Sequence, residues 1–154
     1  TDINEEALKH AQEQAGIQTV GPEKIYDVEC DIFSPCALGG ILNEKTIPRL
    51  KCKIVCGGAN NQLLAEEDGN ALQKRDILYA PDYIVNAGGV INISYEVGMD
   101  YSEEAATEKT ARIYDTMKEV ISIAKSQGIA TARAADRLAE ERIEQARKVR
   151  KIYL

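Results

Sequence analysis

The sequence predicts an α/β fold: a partial parallel sheet followed by two long C-terminal helices. Three observations carry this expectation. Short apolar runs at Ile32-Phe33, Lys53 to Cys56 and Ile77 to Tyr79 each end in a loop rich in Gly, Ala and Asn. The segments between them are long enough for the crossovers that parallel strands require. The last third of the chain places apolar residues at helical spacing.

The elements follow in order. Asn4 is placed to cap a helix with Glu5 and Glu6 in its first turn, Leu8, Ala11 and Ala15 on one face, and Gly16 as its stop. Ile17 to Val20 reads as a short extended run, broken by Gly21-Pro22. Ile32-Phe33 reads as a buried strand stopped by Ser34-Pro35, and Asn43 to Leu50 as a connection with a helical turn. The second strand ends in Gly57-Gly58-Ala59-Asn60-Asn61, and a polar stretch leads to the third. Asn86 and Asn92 bracket Gly88-Gly89 in what reads as a further loop.

Ser102 then caps a helix that carries Ile113, Met117, Val120, Ile121 and Ala124 to a stop at Gly128. Thr131 is placed to cap the last helix, with Ala135, Leu138, Arg142, Ala146 and Val149 on one face and Glu144 paired to Lys148. Arg147, Lys148, Arg150 and Lys151 lie at that helix's negative end, and Ile152-Tyr153-Leu154 forms an apolar terminus suited to docking or to fraying.

Composition bounds the function. The 154 residues are 44% hydrophobic and 29% charged, an ordinary globular balance. The net charge of −6 gives no nucleic-acid footprint, and no apolar run is long enough to span a membrane. A single histidine, His10, on the charged flank of the first helix, leaves little scope for imidazole chemistry. Cys30, Cys36, Cys52 and Cys56 match no common zinc spacing and read as free thiols of a reducing cytoplasm, so no metal is expected.

Ligands of parallel sheets bind outside the carboxyl ends of the strands, where this sequence concentrates its small residues. Asn60 and Asn61 offer adjacent carboxamides there, suited to a flat polar ring, although asparagine equally serves turns with a left-handed backbone. Asp2 precedes a capped helix; an acid at that place binds ribose hydroxyls in dinucleotide folds, and is otherwise a plain surface acid. No nucleophile–base pair and no G-x-G-x-x-G phosphate loop occur in the chain.

Five longer strings point further. Residues 30–40 (CDIFSPCALGG), 58–63 (GANNQL), 79–83 (YAPDY), 86–92 (NAGGVIN) and 134–142 (AADRLAEER) resemble, in order and along the whole chain, the glutamate/leucine/phenylalanine/valine dehydrogenases. The Asn-Asn-Gln-Leu string favours the branched-chain and phenylalanine branch. The resemblance implies an NAD-binding Rossmann unit over residues 1–100 and a helical segment over 101–154. It implies NAD-dependent oxidative deamination of an amino acid to a 2-oxo acid and ammonia, in the cytoplasm, by a homo-oligomer.

Carried over by position, the resemblance implies cofactor binding by Asp2, Cys36, Ala37, Leu38, Asn60, Asn61 and Asn86. Asn61, Val90 and Ile93 would border the substrate pocket, and the branched side chains suit an aliphatic amino acid rather than glutamate. The family's catalytic lysines and acid, and its glycine-rich first strand, have no counterpart in this chain. No catalytic residue is therefore expected here, and the chain alone is expected to be inactive, as the cofactor-binding part of a dehydrogenase. A self-standing, non-catalytic nucleotide-binding or assembly module, its open sheet edges completed by a partner chain, remains the other reading.

Overall fold

The computed structural model describes residues 1–97 and 101–152, with side chains to residue 148. Helix α1 covers Glu5–Ala15. The Asn4 side chain accepts from the Ala7 N–H, and Gly16 closes the helix with φ +62°, a conformation that costs glycine little. α1 buries none of its residues. Ile17 to Val20 pairs with no strand and leads to a 3-10 turn over Pro22–Asp27.

The sheet has three short strands among the described residues, β1 (Ile32–Phe33), β2 (Ile54–Val55) and β3 (Leu78–Tyr79). They run parallel in the order β1-β2-β3, with Ile32 opposite Ile54 and Ile54 opposite Leu78. Two more parallel bridges, Glu29 to Lys51 and Leu42 to Leu63, extend the pairing before and after the strands. Each strand occupies the position its apolar run predicts. β1 is paired on one side only, and Ile32 on it is 56% exposed.

Helix α2 (Glu66–Lys74) lies between β2 and β3. The polar stretch hides it, because Leu72 is its one large buried side chain. Its first turn holds three acids, and Asp68 accepts from the Ala65 N–H at 2.8 Å. Gly69 lets α2 approach the last helix closely, since a Cβ there would come within 3.3 Å of the Ala132 methyl.

After β3 comes a single helical turn, α3 (Asp82–Val85), then α4 (Gly88–Glu96). The structure corrects the loop reading of residues 86–92 here. Asn86 ends α3, and Gly88-Gly89 opens α4 rather than a turn. Glycine tolerates a first helical turn, and Val90 to Tyr95 propagate it.

The next helix divides at Arg112 into α5 (Glu103–Ala111) and α6 (Ile113–Gln127). Ser102 caps α5 through the Ala105 N–H, and Gly128 ends α6 with φ +65°. The last helix, α7, runs Thr131–Ile152. Thr131 does not cap it in the expected way. Its hydroxyl donates instead to the Tyr79 carbonyl and pins the start of α7 to β3. Glu144 and Lys148 pair at 3.7 Å. The expected roles of the Val149, Arg150, Lys151 and Ile152 side chains, and of Tyr153-Leu154, lie outside the described residues.

The core has two parts. Phe33, Leu42, Ile47, Leu50, Val55, Leu72, Ile77 and Tyr79 pack around the sheet. Ile84, Val120, Ala124, Ala134, Ala135 and Leu138 join α3, α6 and α7. The second uses Val120, Ala124, Ala135 and Leu138, which the helical period places inward, whereas the first also takes Leu42, Ile47 and Leu50 from the connection between β1 and β2. Replacing Leu72 with alanine empties the first cluster and is expected to lower unfolding free energy by about 2–5 kcal/mol in urea titrations. Ile143→Ala, at a residue 53% exposed, is expected to change it by less than about 0.5 kcal/mol.

Candidate functional site

The carboxyl ends of β1, β2 and β3 carry three loops that bond to one another. The loop after β1 meets the loop after β2 through backbone. The Ala59 N–H donates to the Pro35 carbonyl at 2.9 Å, and the Gly40 N–H donates to the Asn61 carbonyl at 2.7 Å. Gly57 lies against Pro35 so closely that any Cβ would overlap the proline backbone. Gly39 is held likewise, since a Cβ there would lie only 2.7 Å from the carbonyl oxygens of Asn60 and Asn61. The glycines that read as turn chemistry are thus required by backbone-to-backbone contact.

The loop after β2 meets the segment after β3 through side chains. Asn86 Nδ2 donates to Asn60 Oδ1 at 2.6 Å. The Asn61 N–H donates to Asp82 Oδ2 at 2.7 Å. Asp82 Oδ1 in turn accepts from the Tyr79 hydroxyl at 2.9 Å. Asn61 has φ +53°, the left-handed conformation that asparagine tolerates better than most residues. The left-handed turn expected of this residue is therefore present.

Gln62 is fully buried and holds the loop from beneath. Its Nε2 donates to the Gly57 and Ala59 carbonyls at 2.7 and 2.9 Å. Its Oε1 has no partner, so the side chain is kept for its two donors at the cost of one unsatisfied acceptor.

Cys36 and Cys52 differ in environment. The Cys36 thiol is exposed; hydrogen bonds from the Ser34 hydroxyl and the Gly58 N–H, both at 3.5 Å, hold it below the usual thiol range. Burial, reinforced by neighbouring Cys30, pushes the Cys52 thiol up. All four cysteines are free. Burial also raises the Tyr79 phenol, and the hydrogen bond to Asp82 adds to it. Tyr83, bonded to Asp136 at 2.9 Å, is raised for the same two reasons.

A groove of about 490 Å³ runs along the open side of β1. Asp2, Cys36, Ala37 and Leu38 line it together with apolar Ile3, Ile25, Tyr26 and Ile32. Asp2 accepts from the Asn4 N–H at 2.9 Å through one oxygen. Of the sequence-expected residues, the structure therefore brings Asp2, Cys36, Ala37 and Leu38 into one groove. It joins Asn86 to Asn60 by a hydrogen bond and ties the adjacent Asn61 to Asp82, and Cys36 reaches the same loop through the Gly58 N–H. Val90 and Ile93 stand on α4, 74% and 57% exposed, so nothing among the described residues closes a pocket over them. Among the described residues there is no cluster of three or more metal-ligating side chains, and no helix is long and apolar enough to cross a membrane.

The family model of the glutamate/leucine/phenylalanine/valine dehydrogenases matches residues 2–151. The chain belongs to this family. It is 54% identical over all 154 residues to a leucine dehydrogenase of Thermoactinomyces intermedius, and covers 42% of that protein. It is 48% identical over 148 residues to a phenylalanine dehydrogenase of Bacillus thermotolerans, covering 93% of this chain and 38% of the relative. The crystal structure of L-tryptophan dehydrogenase from Nostoc punctiforme superposes with a TM-score of 0.90 at 45% identity, over 96% of this chain and 45% of that one. The chain thus spans less than half the length of these family members. Asp82 and Gln62 escaped the sequence reading. Signals for both exist: Asp82 directly follows a proline at a strand end, and Gln62 is a polar residue leading an apolar pair, Leu63-Leu64.

Two outcomes follow from these environments. Iodoacetamide is expected to label Cys36 well before Cys52, and Ser34→Ala to slow the labelling of Cys36, as read by peptide mass spectrometry. A raised phenol binds its proton in the folded state at pH values where the unfolded chain has released it. Stability from Tyr79 is therefore complete below the ordinary tyrosine pKa of about 10 and lost as pH rises above it. Unfolding free energy measured from pH 9 to 11 is expected to fall less steeply in Tyr79→Phe than in the parent chain.

Proposed function

We propose that this chain is the cofactor-binding part of an NAD-dependent L-amino-acid dehydrogenase that oxidatively deaminates an aliphatic amino acid, leucine or another branched-chain substrate, to a 2-oxo acid and ammonia. The observation that carries the reading is the stitched surface at the carboxyl ends of β1, β2 and β3, where open sheets of this kind place their ligands. Residues 1–100 form the Rossmann unit in this reading, and residues 101–154 the helical segment behind it.

The residues present fit a dinucleotide at both of its ends. The Asp2 carboxylate lies in the groove beside β1, where it accepts hydrogen bonds from ribose hydroxyls and repels a 2′-phosphate. Cys36, Ala37 and Leu38 floor the path between that ribose and the asparagine cluster. Gly58 leaves the backbone open there, since a Cβ on it would meet only the Cys36 sulfur, at 4.0 Å. Asn60, Asn61 and Asn86 orient the nicotinamide ring and its carboxamide, and Asn61 also faces the substrate amino group.

The bound dinucleotide supplies the hydride acceptor. The chain's own residues fix the distance and face of that acceptor and carry no proton. Val90 and Ile93 form one wall of a substrate pocket, and a second wall comes from outside the chain. An aliphatic side chain buried between them is favoured by roughly 25 cal/mol per Å². The lysines and acid of the chemistry, and the phosphate loop, also come from outside these 154 residues. The enzyme is cytoplasmic and homo-oligomeric in this reading.

The test exchanges the matched segment of the Thermoactinomyces intermedius leucine dehydrogenase for these 154 residues. The exchanged enzyme is expected to reduce NAD+ with L-leucine, and poorly with L-glutamate, while the isolated chain turns over neither. No turnover with leucine, valine, phenylalanine or glutamate in a folded exchanged enzyme would overturn the proposal. Turnover by the isolated chain would overturn the assignment of the catalytic groups to another part.

A further inference from the structure

We propose that Asp82 is a positioning residue for the nicotinamide end of the site. It holds Asn61 in the left-handed conformation that aims the Asn61 side chain. The inference rests on the reading above, in which Asn61 faces the nicotinamide and the substrate amino group.

Four observations carry it. Asn61 has φ +53°, a left-handed conformation that asparagine tolerates, although the residue still favours negative φ unless its backbone groups are held. Both backbone groups of Asn61 are engaged: its N–H donates to Asp82 Oδ2 at 2.7 Å, and its carbonyl accepts from the Gly40 N–H at 2.7 Å. The second carboxylate oxygen accepts from the Tyr79 hydroxyl at 2.9 Å, and that hydroxyl also accepts from the Asp82 N–H at 3.3 Å. Tyr79 is 2% exposed and belongs to β3, which pairs with β2 immediately before the loop that carries Asn61.

The path is therefore closed. The buried tyrosine fixes the carboxylate, the carboxylate fixes the Asn61 N–H, and the neighbouring β1 loop fixes the Asn61 carbonyl. A carboxylate is the suitable group because it accepts both hydrogen bonds at once without offering a competing donor. Alanine at position 82 leaves the Asn61 N–H unbonded and frees the residue to relax toward negative φ. Asparagine there keeps the acceptor for the Asn61 N–H and replaces the bond accepted from Tyr79 with one its amide donates to the Tyr79 oxygen.

The experiment uses the exchanged full-length enzyme, with NAD+ and ADP-ribose as probes. ADP-ribose has the adenosine, the pyrophosphate and the second ribose but no nicotinamide. Asp82→Ala is expected to lower kcat/KM for leucine at least tenfold and to weaken NAD+ binding, with ADP-ribose binding unchanged within twofold. Asp82→Asn is expected to stay within threefold of the parent in all three measurements, and Tyr79→Phe to show the Asp82→Ala pattern in weaker form. Equal weakening of NAD+ and ADP-ribose by Asp82→Ala would mean general loss of structure and would overturn the proposal. An unchanged kcat/KM would overturn it as well. Should Asp82→Ala fail to fold, Tyr79→Phe decides by the same split between the two probes. An exchanged enzyme that binds NAD+ no better than ADP-ribose before any substitution would instead overturn the placement of Asn61 on which the inference rests.

Discussion

Gly57 lies against the backbone of Pro35 with no room for a side chain between them. That contact brings the loop after β2 onto the loop after β1, and most of the site depends on it. With the two loops in contact, the Ala59 and Gly40 amides find their carbonyl partners, and Gln62 closes the turn from below. Asn60 and Asn61 are then carried toward Asn86 and Asp82 on the third segment. A larger residue at position 57 would separate the loops and scatter all three asparagines. Site and core meet here too, since Tyr79 belongs at once to the buried cluster around the sheet and to the hydrogen bonds of Asp82.

The same layout explains what the chain leaves open. Among the described residues β1 pairs on one side only, α1 buries nothing, and an apolar groove lies between the N-terminal segment and β1. An unpaired parallel strand with exposed apolar neighbours is a surface open to pairing with further chain. The exposure of Val90 and Ile93 has the same character. The chain covers 42% of a leucine dehydrogenase to which it is 54% identical, so these family members carry a good deal of chain beyond the matched part.

Much of the fold was legible in the sequence because its signals are local. Asn4, Gly16, Ser102 and Gly128 act at helix ends through one hydrogen bond or one left-handed residue each, and the structure places all four as their residue types imply. β1, β2 and β3 follow apolar runs bounded by breakers. Helix α2 was not legible, because a tertiary contact at Gly69 and one buried leucine hold a polar segment in place. Gly88-Gly89 misled for the opposite reason: a turn signal yielded to a helix packed against its neighbours. The Thr131 hydroxyl left the cap position for a carbonyl far away in sequence. In the site, the asparagines were visible as residue types. Asp82 and Gln62 were not, since their effect passes through loop backbone that only the folded chain brings near.

In the proposed reading, the loops at the strand ends present Asp2 to the ribose end and the asparagines to the nicotinamide end of one dinucleotide. A crystal structure of the exchanged full-length enzyme with NAD+ tests it most directly. The account predicts the adenosine ribose hydroxyls on the Asp2 carboxylate and the nicotinamide carboxamide within hydrogen-bond distance of Asn86 or Asn60. A cofactor bound away from these loops, or one reversed end for end along the groove, would contradict it.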